Sequence, residues 1–332
     1  MNITLTTQAR CAGRYRFETA KVDANGHPLE HTRAVAADWF DNLVMNDGLN
    51  RMLTHSDWLD ACYVGTGSEA PTPNDSRLGK KIAKTETVLE RTSATVPDQH
   101  YGYVRITYRF PAGFHGDLTE VGIGNRFEDD GSLEKDDPGY WDQYALFSRA
   151  LIRDANGQPT TLTKLDDEIL DVVYEFRLYA PTEDGSGDVV LGNANTRHHW
   201  TCRALCLGDH STAWDNRLGQ PFNCLIGPAP FWGGRVSARN TLYGLLDNPD
   251  FSTSPLVTKT ECHPYPSSGE GDAPAIDITV VCDMDNGNFN EGIGWIGVSG
   301  TFGAFQLVFE PRIPKNADRK LEFSFSIHFG RQ

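Results

Sequence analysis

Leu170-Asp171-Val172-Val173-Tyr174-Glu175-Phe176-Arg177-Leu178 and Leu321-Glu322-Phe323-Ser324-Phe325-Ser326-Ile327-His328-Phe329 decide the fold. In the first, Leu170, Val172, Tyr174, Phe176 and Leu178 are the apolar positions; in the second, Leu321, Phe323, Phe325, Ile327 and Phe329. A period of two sends successive side chains to opposite faces, so each stretch predicts a strand with one buried and one solvated face. A lysine precedes each, Lys164 and Lys315, six positions before the first apolar residue. The offset is constant, since 315 − 164 and 321 − 170 both give 151.

Other anchors keep the same order. Ile106-Thr107 stands sixteen residues before Gly122, and Ile278-Thr279 stands sixteen before Gly294. Tyr63-Val64-Gly65 leads to Arg77-Leu78-Gly79, as Cys206-Leu207-Gly208 leads to Arg217-Leu218-Gly219. Alternation and glycine turns are common to β proteins, so the shared order carries the inference rather than any single match. It predicts an internal duplication of a β unit.

Composition sets the bounds. A chain of 332 residues, 39% apolar with seven Trp and seventeen Phe, can build real cores and is not globally disordered. Gly 32 and Pro 18 suit many short strands joined by turns. The net charge of −15 opposes binding to nucleic acid or to an anionic membrane. No stretch is apolar enough for a membrane span, and Met1 to Thr7 lacks the regions of a signal peptide, so a cytosolic product is expected. Seven cysteines without dense spacing read as free, partly buried thiols.

Along the chain, Tyr15 to Thr19 predicts a strand and Asn25-Gly26-His27-Pro28 a turn. Trp39, Phe40, Leu43, Val44, Leu49, Met52 and Leu53 fit a helical stripe broken at Asn46-Asp47-Gly48, which predicts two short helices. Strands follow at 104–110, 145–152 and 169–179, then near 200–207, 276–282, 293–298, 304–309 and 321–329. The fold class expected is mainly β, with two related antiparallel β-sandwich domains and a short helical segment near the N-terminus. Residues 1–58 form an N-terminal strand and helical segment packing on the first domain; 59–181 form the first sandwich and 182–332 the second. The boundary is set by Ala180 to Asp188, rich in Gly, Pro and acidic residues.

Asn42-Leu43-Val44-Met45-Asn46-Asp47-Gly48-Leu49, then Tyr63-Val64-Gly65-Thr66-Gly67-Ser68-Glu69-Ala70-Pro71 and Asp75-Ser76-Arg77-Leu78, resemble a recurring pattern in structural proteins of tailed bacteriophages. Thr119-Glu120-Val121-Gly122-Ile123 and Phe147-Ser148-Arg149-Ala150 belong to the same resemblance, which covers residues 40–180. It implies a non-enzymatic virion component of the tail, baseplate or fibre, made in the bacterial host cytoplasm. Its partners would be copies of itself and other virion proteins. A host-receptor module that binds surface glycans is the alternative, and a capsid decoration protein the third.

Candidate sites are few. Tyr140, Trp141, Trp214, Phe231 and Trp232 are loop aromatics that would bury against a neighbouring subunit or stack on a glycan. Pro228 to Gly234 reads as a rigid loop presenting two of these rings. His199, Cys202, Cys206 and His210 would share one stripe of a helix and suit zinc. A strand, with Trp200, Cys202, Ala204 and Cys206 inward, is the preferred reading and separates them. Asp283 to Glu291 alternates oxygen donors as calcium loops do, yet lacks the full twelve-residue pattern and also reads as a turn. Gly65-Thr66-Gly67 is no phosphate loop, because Gly-Lys-Ser/Thr does not follow. Glu120 and Glu291 would offer a carboxylate pair, but corresponding places in two repeats lie too far apart to share a substrate. No catalytic residue, cofactor or metal ligand is assigned.

Overall fold

The computed structural model describes residues 2–54, 57–125, 146–191, 196–205, 231–245, 259–265, 275–300 and 303–332. Strand β1 (Asn2–Lys21) is followed by β2 (Ala34–Asp41), β3 (Leu43–Val44) and helix α1 (Asn46–Thr54). Next come β4 (Ala61–Gly65), β5 (Lys81–Thr85), β6 (Val88–Val96), β7 (Tyr101–Phe110), β8 (Gly116–Leu118) and β9 (Glu120–Gly124). β10 (Leu146–Leu151), β11 (Leu162–Lys164) and β12 (Glu168–Tyr179) complete the first half. The second holds β13 (Gly185–Leu191), β14 (Thr196–Ala204), β15 (Phe231–Ser237) and β16 (Lys259–Tyr265). It ends with β17 (Ala275–Cys282), β18 (Ile293–Gly300), β19 (Gly303–Ile313) and β20 (Leu321–Arg331). The fold is mainly β, as expected, and its sheets are layered like sandwiches.

One large sheet runs β16-β17-β20-β1-β12-β7-β6, with β2 also on β1. Two smaller sheets flank the core, β3-β10-β9-β4-β5 in the first half and β13-β14-β19-β18-β15 in the second. The pairings β6–β7, β7–β12, β4–β9 and β9–β10 have the counterparts β16–β17, β17–β20, β15–β18 and β18–β19, all antiparallel and in the same chain order. Ile106 and Ile278 lie in the corresponding strands β7 and β17, and Gly122 and Gly294 in β9 and β18. In this order β15 stands where β4 does; the stretch at 206–208, expected to match Tyr63-Val64-Gly65, lies outside the described residues.

β1 joins the halves. Its residues Arg10–Lys21 pair antiparallel with β12, while Asn2–Cys11 pair parallel with β20. The N-terminal segment expected to pack on the first half therefore contributes to both. One apolar core is continuous across them, from Tyr15, Phe17 and Phe176 to Phe309, Phe323 and Phe329.

The stripe at 39–53 is only partly helix. Trp39 lies in β2, where the register with β1 slips so that Ala37 faces Phe17 and Phe40 faces Tyr15. This bulge lets residues three apart both point inward, which imitates helical spacing. The helix starts at Asn46, and Gly48 is required there, since a Cβ would sit 2.5 Å from the Phe147 backbone on β10.

The outer face of the large sheet is polar but ordered. Glu175 on β12 is 1% exposed and accepts from Arg14 Nε at 2.9 Å, Arg105 Nε at 2.9 Å and Arg177 Nε at 2.8 Å. Burial pushes its pKa up, but the hydrogen bonds from Arg105, Arg14 and Arg177 together outweigh burial and hold it below the usual glutamate value. The folded pKa lies under the unfolded one, so the stabilisation is complete above about pH 4.3 and is lost as pH falls through the depressed value. Glu175→Gln is expected to flatten the acid limb of a denaturant-measured stability profile. Identical acid limbs for variant and parent would contradict the assignment.

Candidate functional site

Gly67, Glu69, Asp75 and Arg149 lie far apart in the chain, yet they gather around one carboxylate. Glu120 opens β9 and is fully buried. Its Oε1 accepts from the backbone N–H of Gly67 at 2.8 Å and of Lys80 at 2.7 Å. Its Oε2 accepts from the Gly79 N–H at 3.0 Å and from Arg149 through Nε at 3.0 Å and Nη2 at 2.8 Å. Arg149, on β10, is 4% exposed; its Nη1 donates to Asp75 Oδ2 at 2.5 Å and its Nη2 to the Glu69 carbonyl at 3.1 Å. Asp75 in turn accepts from the Thr72 N–H at 2.9 Å and hydroxyl at 2.6 Å. Burial pushes the Asp75 carboxyl up, and the bonds from Thr72 and Arg149 overcome that and lower it.

This node shapes the chain from Gly65 to Lys80. Glycine is needed at 67, because a Cβ there would lie 2.4 Å from Glu120 Oε1. The Gly-Thr-Gly stretch thus wraps a carboxylate of its own chain. With three N–H groups and an arginine fork on two oxygens, Glu120 has no lone pair directed at a substrate, so it is placed to hold structure rather than to move protons. Glu291, the other carboxylate weighed above, is exposed in the β17–β18 turn and pairs with Arg312 at 2.7 Å.

A second device occurs twice. Lys164, at the end of β11, is fully buried, and its Nζ donates to the carbonyls of Phe114, Leu165 and Glu168 at 2.7, 3.1 and 2.8 Å. Lys315, 5% exposed, donates to the Asp283 carbonyl at 2.8 Å, Asn288 Oδ1 at 2.7 Å and the Asn316 carbonyl at 2.9 Å. Each ammonium bonds the carbonyl of its next residue and one just beyond the corresponding strand, β7 or β17. Burial lowers the pKa of both lysines. Three acceptors match three ammonium donors, which offsets the desolvation of the cation. Oxygens of the 283–291 loop therefore surround a lysine.

The remaining candidates fall as follows. Tyr140, Trp141 and Trp214 lie outside the described residues. Phe231 and Trp232 open strand β15, with Phe231 paired to Gly300, so this part of the expected loop is strand. The His198–Ala204 stretch is strand β14, in agreement with the preferred reading; Cys206 and His210 lie outside the described residues. Along it Cys202 and Ala204 are buried and His199 is exposed against Asp188 at 3.2 Å. Burial pushes the Cys202 thiol up to about 12 and the Cys11 thiol likewise, so neither is a ready thiolate. Among the described residues no group of three or more His, Cys, Asp or Glu is placed to hold a metal ion. No protein-family model, curated protein or solved structure matches the chain.

Glu120→Gln leaves a buried guanidinium half-compensated and is expected to destabilise by about 3–5 kcal/mol. Lys164→Met and Lys315→Met each strand three acceptors and are expected to cost on the order of 3 kcal/mol. Denaturant unfolding measures all three. A loss below about 1 kcal/mol for Glu120→Gln would contradict the role given to the node.

Proposed function

We propose that the chain is a structural component of a tailed-phage virion, in the tail, baseplate or fibre assembly, acting by docking to copies of itself and to other virion proteins. In this reading it performs no catalysis, and its two halves are copies of one β unit. The observation that carries the proposal is the fate of the residues on which the resemblance to phage structural proteins rests. Gly67, Asp75, Glu120 and Arg149 are consumed in holding one loop rigid, and none of them presents a reactive group.

Docking has a ready place at the open side of the first half. There the chain crosses from β5, on the edge of the small sheet, to β6, on the edge of the large one. Ile82, Val88 and Leu89 are exposed there by 42%, 39% and 45%. A nine-residue edge strand with apolar side chains offers both backbone groups and apolar surface to a neighbour.

Imaging of the purified particle, with density fitted to this fold, tests the proposal. Density in the tail, baseplate or fibre is expected, and its absence from the particle would overturn the reading. Density on the capsid would assign the decoration role instead. Saturable adsorption of the isolated chain to host cells would favour the receptor-binding alternative.

A further inference from the structure

The two neighbours on one side of β1 do not meet. β20 pairs as far as Cys11 with Arg331, and β2 begins at Arg14 with Asp41. The gap leaves a hollow of about 350 Å³ at the seam of the two halves, with Arg14, Arg177 and Arg331 among its walls. Arg14 comes from β1, Arg177 from the first half and Arg331 from the second.

The three guanidiniums are unequally compensated. Arg14 and Arg177 share Glu175 with Arg105. Arg331 meets only neutral oxygens, the Val44 carbonyl at 2.5 Å and Asn46 Oδ1, and makes no ion pair among the described residues. Its partial burial lowers its pKa. Asp41 is the one acidic side chain on the wall, which Gln332 also lines. Positive charge therefore exceeds negative in a concavity on a chain whose net charge is −15.

The arginines are also fixed in place. Glu175 holds Arg14 and Arg177 through Nε, Arg14 lies 4.2 Å over the Trp39 ring, and Arg177 lies 4.7 Å over Tyr101. Trp39, between the two β2 residues where the register slips, lies on this face. Planar forks held by stacking lose little freedom on binding and match the two oxygens of a carboxylate or phosphate group.

We propose that the seam hollow is an oxyanion-binding site, taking a carboxylate or a phosphate-type group between Arg331, Arg14 and Arg177. The chemistry is common to a free ion and to an acidic side chain of a neighbouring protein, and it does not depend on the virion reading.

Calorimetric titration of the full chain with inorganic phosphate and with a glutamate-rich peptide, at ionic strength held constant with chloride, tests it. Saturable binding of phosphate identifies a free ion as a source; binding of the peptide identifies an acidic side chain. Arg331→Gln and Arg177→Gln are each expected to weaken binding about tenfold, the loss of one charge-assisted contact. Asp41→Asn removes the opposing charge and is expected to tighten binding, which guards against a trivial failure of the arginine variants to fold. Heats no different from added chloride for both probes would overturn the proposal, as would binding that none of the three substitutions alters.

Discussion

Strand β1 is the constraint on which the rest depends. Its twenty residues span roughly 66 Å at about 3.3 Å per residue, enough to serve two sandwiches in succession. Residues 10–21 supply a neighbour for β12, and residues 2–11 supply one for β20. Neither half can complete its share of the large sheet without it. The halves thus have matching strand orders but unlike borders, antiparallel to β1 on one side and parallel on the other. The seam, its gap and its three arginines follow from this one sharing.

Four buried charges are handled by one rule. Glu120 receives three N–H groups and an arginine, Lys164 and Lys315 receive three oxygens each, and Glu175 receives three arginines. Removing such groups from water is costly, and only a nearly complete set of partners offsets the cost. Each set fixes loops or strands far apart in the chain, so polar groups supply specificity where the apolar core alone would tolerate slippage. Arg331, half-buried, meets only neutral oxygens, and that singles out the hollow.

Strands with a clean period of two were legible in the sequence. Val104, Ile106, Tyr108 and Phe110 are buried on β7 as their alternation predicts; on β12 the apolar positions from Leu170 to Leu178 are buried, but Asp171, Val173 and Glu175 on the face expected to be solvated are buried as well. The lysines at a constant offset were visible too, although their burial was not, because a lone lysine normally signals solvent. Trp39 and Phe40 misled because a bulge reproduces helical spacing. The full length of β1 was hidden, since Thr6, Thr7 and Gln8 interrupt its alternation and a parallel partner three hundred residues away leaves no local signal. The node escaped for the same reason. Glu120 and Arg149 are brought together by the pairing of β9 with β10 and Asp75 by the loop between β4 and β5, and no spacing rule links them.

Native-state hydrogen exchange along β1 tests the shared-strand account most directly. Amides of residues 2–11 that bond to β20 and amides of residues 10–21 that bond to β12 are predicted to exchange in one cooperative opening, with the protection of the core. Residues 2–11 exchanging freely while 10–21 remain protected would contradict it, for the second half would then stand without the strand assigned to it.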